Sequence, residues 1–87
     1  MKMLILYHPD SEYSSMVENF VRDCEKRTSN SIEVMSLETP EGSHVATTYG
    51  IVDYPAELVI SDDGQLLKHW QGSDLPTFDD VMGYLNN

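Results

Sequence analysis

Three residues in the stretch His8-Pro-Asp-Ser-Glu-Tyr-Ser14 could carry chemistry, because a histidine stands three residues before Ser11 and a second hydroxyl follows at Ser14. A serine oxygen becomes a nucleophile only with a base beside it and a further group to orient that base. His8 is the candidate base, but no third group is evident, so an ordinary helix-capping serine is the bland alternative. Cys24, the single cysteine, excludes an internal disulfide and a cysteine-built metal cage. It falls on the apolar stripe of Met16, Val17, Phe20 and Val21, which reads as an inert core position. His8, His44 and His69 are too scattered to make a metal site, and solvent-exposed histidine is the simpler reading. Trp70 reads as a half-buried residue on an edge strand rather than a ligand platform.

These residues must be positioned by a small scaffold. With 87 residues the chain has material for a single domain, residues 1–87, and one modest core. Fifteen acids against five bases give a net charge of −10, which repels nucleic acid and anionic lipid and excludes a basic recognition patch. No apolar run approaches the length of a membrane span or a signal-peptide core, so a cytoplasmic protein is expected. Repeats, low-complexity segments and linkers are absent.

Along the chain, Lys2–Tyr7 is a continuous apolar run, expected as a central strand covered on both faces. Pro9 disfavours helix at His8, and the spacing of Met16, Val17, Phe20, Val21 and Cys24 predicts a helix from Ser15 to about Arg27. Ser15 and Glu18 are spaced as a capping box. Thr28–Ser31 is a turn cluster. Ile32–Leu37 is expected as a second strand, parallel to the first through a right-handed crossover. Thr39 or Pro40 opens a short helix through Tyr49, and Gly50 supplies the left-handed residue that ends it.

The block Tyr49–Ile60 organises the remainder. Pro55 cannot donate a ladder hydrogen bond and belongs at the mouth of a strand at Leu58–Ile60. A cis Tyr54–Pro55 bond is chemically accessible, though the residues leave the isomer open. Asp62-Asp63-Gly64 turns the chain into an antiparallel strand at Gln65–Trp70. Beyond Gly72, Asp74 is the expected cap of a last helix with Pro76 in its first turn and Phe78, Val81, Met82 and Leu85 on its apolar face.

This order, with Tyr49-Gly50-Ile51, Pro55 leading a strand, the Asp63-Gly64 turn and Gly72 before the last helix, resembles the thioredoxin superfamily in its minimal glutaredoxin-type form. The resemblance implies an α/β fold, βαβαββα, with a four-stranded mixed sheet. The first and third strands would lie inside, the first and last helices on one face and the second helix on the other. It also places Ser11-Glu12-Tyr13-Ser14 where relatives carry Cys-x-x-Cys, and Tyr13 matches the Cys-Pro-Tyr-Cys form. A helix N-terminus lowers a cysteine pKa from about 8.5 into the range of roughly 3.5–7.5, whereas a serine hydroxyl does not ionise near neutrality. Thiol–disulfide exchange is closed to oxygen. The resemblance therefore implies a redox-inactive domain with no catalytic residue and no cofactor.

What the resemblance leaves is a surface. Relatives hold an extended peptide against the residue before the cis-proline, a role that falls here to Tyr54. Tyr7, His8, Tyr13, Tyr54 and Pro55 are the expected aromatic patch, either a binding surface or the closed remnant of an active site. A protein or peptide partner, favoured if basic by the surrounding acidity, and a monomeric state are the expectations. The alternative is a glutathione-binding enzyme of glutathione-transferase or glutaredoxin type using the Ser11 hydroxyl. Asp10 and Glu12 beside that serine, without a neighbouring Lys or Arg, disfavour an anionic ligand.

Overall fold

The computed structural model describes residues 2–27, 32–72 and 76–85, and within α3 it leaves the side chains of Phe78 and Leu85 undescribed. The elements are β1 (Lys2–Tyr7), α1 (Ser14–Arg27), β2 (Ile32–Ser36), α2 (Pro40–Thr48), β3 (Ala56–Ile60), β4 (Leu66–Gln71) and α3 (Phe78–Leu85). The expected turn at Thr28–Ser31 and the expected cap Asp74 lie outside the described residues.

The sheet runs β2-β1-β3-β4. β1 pairs parallel with β2 and antiparallel with β3, and β3 pairs antiparallel with β4, so the sheet is mixed and its inner strands are the first and third. Inner position explains composition. Met3, Leu4, Ile5 and Leu6 are all buried, as is every residue of β3, because each face of these strands is covered. Leu4, Leu6, Ala56, Leu58 and Ile60 pack with Ala46 and Ile51 on the α2 side. Met3, Ile5 and Val59 pack with Val17 of α1 and Val81 of α3 on the other. Two helices thus share one face, and α2 covers the opposite one.

Helix ends follow local chemistry, with two departures from the sequence reading. α1 begins at Ser14, since the Tyr13 carbonyl accepts the first intrahelical bond from Val17 N (3.1 Å). Ser15 is therefore already helical, and no capping box with Glu18 forms. At α3 the reciprocal pair Thr77 N to Asp80 Oδ2 (3.1 Å) and Asp80 N to Thr77 Oγ1 (3.2 Å) makes a capping box. That box starts the helix at Phe78, so Pro76 precedes the helix rather than occupying its first turn. β3 starts two residues earlier than expected, at Ala56 directly after Pro55, and β4 is Leu66–Gln71.

α2 is tied at both ends. Thr39 Oγ1 accepts from Gly42 N (3.1 Å), a side-chain cap. At the far end Gly50 (φ 69°) is left-handed, with Gly50 N bonding Thr47 O (3.2 Å) and Ile51 N bonding Ala46 O (2.8 Å), a Schellman motif. Gly42 is required for another reason. A Cβ there would lie 2.0 Å from the carbonyl oxygen of Ser36, so only glycine lets α2 approach the end of β2 so closely.

Candidate functional site

β1 and β3 are antiparallel with Leu6 opposite Ala56, so the chain leaving β1 and the chain entering β3 meet at one end of the sheet. That register brings His8 beside Tyr54. The loop after β1 is closed by its own polar groups. His8 O accepts both the Ser11 amide (3.0 Å) and the Ser11 hydroxyl (2.7 Å), while Ser11 Oγ accepts from Tyr13 N (3.3 Å). Ser14 N then bonds Ser11 O (3.2 Å) and leads into α1. Ser11 is therefore a turn-forming serine whose proton is directed to a backbone carbonyl, not to the His8 ring. Ser14 is the first helical residue and half-buried.

The segment before β3 is equally fastened. Gln71 Oε1, at the end of β4, accepts from Val52 N (3.0 Å) and Asp53 N (3.1 Å). Asp53 Oδ1 accepts from Tyr54 N (2.9 Å), the Tyr54 hydroxyl donates to Ile51 O (3.1 Å), and Pro55 O accepts from Gly72 N (2.9 Å). The Tyr54–Pro55 peptide bond is cis. Gly72 (φ 90°) supplies the left-handed turn beneath it, and a Cβ there would lie 2.9 Å from Asp53 Oδ2.

Of the five residues expected to form an aromatic patch, two meet. The rings of His8 and Tyr54 contact edge-to-face, centroids 5.5 Å apart at 85°. They border a groove of about 280 Å³ that Leu37, Ala46, Thr47 and Ile51 also line. Tyr7 turns to the other side of the sheet, packing with the α1/α3 layer and lining a separate groove with Val17, Val21 and Val34. Pro55 is fully buried, and Tyr13 is half-buried. Glu12 is exposed on the same loop. The carboxylates Asp10, Glu12 and Asp53 are exposed at this end. Lys2, Arg22, Lys26, Arg27 and Lys68, the five bases, all fall outside residues 7–21 and 32–67.

The thiol lies elsewhere. Cys24 is buried on α1, and its pKa is pushed up to about 11 by burial, with the Glu57 and Asp23 carboxylates adding and Arg27 opposing. A thiol so placed is a core side chain, not a nucleophile. His8, His44 and His69 are exposed and separated, and no cluster of His, Cys, Asp or Glu among the described residues could hold a metal ion. Trp70 is half-buried on the edge strand β4, edge-on to Tyr84 at 5.8 Å.

One residue escaped the sequence reading. Glu57, the second residue of β3, is completely buried, and neither carboxylate oxygen has a hydrogen-bond partner among the described residues. Burial pushes its pKa from 4.5 up to about 8, so the protonated form prevails at neutral pH. The signal was present: a single carboxylate interrupts Ala56-Glu-Leu-Val-Ile60, a run apolar at positions of both parities and hence covered on both faces.

No protein-family model and no curated protein matches this chain. Solved structures do. Thioredoxin 1 from the thermophilic eubacterium Thermosipho africanus superposes with a TM-score of 0.70 at 12% identity, over 99% of this chain and 91% of that one. A malarial protein superposes with a TM-score of 0.67 at 9% identity, over 99% and 96%. At such identities the likeness establishes architecture and not activity. Four strands ordered β2-β1-β3-β4 with three helices, and these neighbours, make this a thioredoxin-like fold.

Proposed function

We propose that this chain is a redox-inactive thioredoxin-like domain that holds an extended segment of a protein or peptide at the end of the sheet where His8, on the loop that carries Ser11, meets Tyr54 before Pro55. Read as counterparts of Cys-x-x-Cys, Ser11 and Ser14 offer oxygen where exchange needs sulfur, and Cys24 is walled into the core. The observation that carries the binding role is the His8–Tyr54 ring pair beside the cis bond, bordering a groove of mixed lining, Leu37, Ala46 and Ile51 with Ser43 and Thr47. An extended segment there would meet main-chain groups as an added strand does. Asp53 already occupies the Tyr54 amide, so the carbonyl of Tyr54, which no donor reaches among the described residues, is the group left to offer. Exposed Asp10, Glu12 and Asp53, with no Lys or Arg between His8 and Val21, favour a basic partner.

A glutathione-binding enzyme using Ser11 fares worse on the same geometry. The hydroxyl that would steady a thiolate is directed to His8 O, and no cation neighbours it in sequence to hold a carboxylate.

Amide-resolved NMR titration tests the proposal with an extended Lys- and Arg-rich peptide. Shifts should concentrate at His8–Ser14 and Ile51–Ala56 and weaken with added salt. Tyr54→Ala should lower affinity about tenfold. An absence of shifts at millimolar peptide, or shifts confined to another face, would overturn the binding role. Shifts at Ser11 with millimolar glutathione would restore the enzyme reading.

A further inference from the structure

Glu57 poses a physical problem that the peptide-binding end does not address. It sits on an inner strand, opposite Ile5 of β1 and Trp70 of β4, on the face covered by α1 and α3. Its side chain is wholly enclosed, and among the described residues neither oxygen has a donor. β3 is hydrogen-bonded on both edges, so the strand cannot rotate to present the carboxyl to water without breaking two ladders. Only a covering helix can move. α1 has 14 residues and lies along β1, whereas α3 has 8 residues and packs on β3 itself, through Val81. The shorter element above the charged strand is the weaker lid.

We propose that Glu57 is a proton-dependent latch for α3: the helix stays seated while the carboxyl keeps its proton, and loss of that proton is relieved by α3 lifting so that water reaches the carboxylate. No neighbouring group substitutes for that water. From α1 the ionisable group in this layer is Cys24, a thiol that stays neutral over this pH range and offers no positive charge, with the Asp23 and Arg27 charges acting on it from the same helix. β1 contributes Tyr7, and α3 contributes Tyr84 with the exposed Asp79 and Asp80. The cation of this layer on β4 is Lys68, exposed, paired with Val59 in register and held over the Trp70 ring 5.7 Å from its centroid.

Because an open state ionises at an ordinary carboxyl value, opening should become about tenfold easier per pH unit between roughly 5 and 8 and level off above, once the closed state ionises too. Native-state hydrogen exchange on the intact chain reads this directly. Protection factors, corrected for intrinsic exchange, should fall along that profile at Val81–Tyr84 while α1 amides stay protected. Glu57→Gln should flatten the profile, and Glu57→Leu serves if the glutamine variant does not fold. A flat wild-type profile, the same profile in the Glu57 variants, or α1 amides opening together with α3 would each overturn the latch.

Discussion

The segment entering β3 and the strand itself differ in how they treat polar groups. At its entrance, the polar groups of Ser11, Asp53 and Tyr54 find partners within three residues, and Gln71 at the end of β4 accepts from Val52 N and Asp53 N. Within the strand, Glu57 is enclosed with none among the described residues. Closing a loop with its own hydrogen bonds is inexpensive and leaves ring faces and a groove for another molecule. Enclosing an acid is expensive and can be tolerated only in its neutral form. The entrance is thus built for rigidity, and the interior stores a dependence on protons.

Removing the acid should give the largest effect. The folded pKa of about 8 lies above the ordinary 4.5, so the folded state holds a proton that the unfolded chain has released between those values. Stability is then greatest below about 4.5 and falls as pH rises toward 8, by roughly 1.4 kcal/mol per unit as far as this group is concerned. Glu57→Leu should flatten this slope and stabilise the protein at pH 9 by several kcal/mol, on the order of 4, in urea denaturation at a series of pH values. A wild-type slope that persists in the variant would remove Glu57 from the account.

Gly42→Ala comes next, because its Cβ would collide with backbone that cannot swing aside. A loss of about 3 kcal/mol is expected from the denaturation midpoint, since α2 must back away from Ser36. This tests whether the α2 side of the groove is fixed by close approach. Gln71→Ala should be milder, roughly 1–2 kcal/mol, as Val52 N and Asp53 N lose their acceptor at an exposed position where water can replace it. Its sharper readout is exchange at those two amides and weaker peptide binding. Thr77→Ala should cost about 1 kcal/mol through the α3 cap, and it should make α3 open more easily without changing the pH profile set by Glu57.

Much of the scaffold was legible because the residues that form it act locally. The apolar run Lys2–Tyr7 marked β1 as covered on both faces, Gly50 marked the end of α2, and Pro55 marked the mouth of β3. The start of α3 was misread because Asp74 is an equally good capping type, while Thr77 and Asp80 satisfy each other reciprocally. Tyr7 was assigned to the wrong neighbours in physical terms. Strand alternation sends it to the face opposite Tyr54, a consequence of register that needs the pairing partner to be known. The burial of Glu57 depends on two helices closing from elsewhere in the chain, so no local pattern could state its degree.

Reduction of insulin by dithiothreitol, followed by turbidity, tests the central claim most directly, that this scaffold keeps a binding end but lacks thiol–disulfide exchange. The wild type should not exceed the blank, and Ser11→Cys with Ser14→Cys should raise the rate measurably by supplying two sulfurs on the loop whose His8 meets Tyr54. Catalysis by the wild type above the blank would contradict the account.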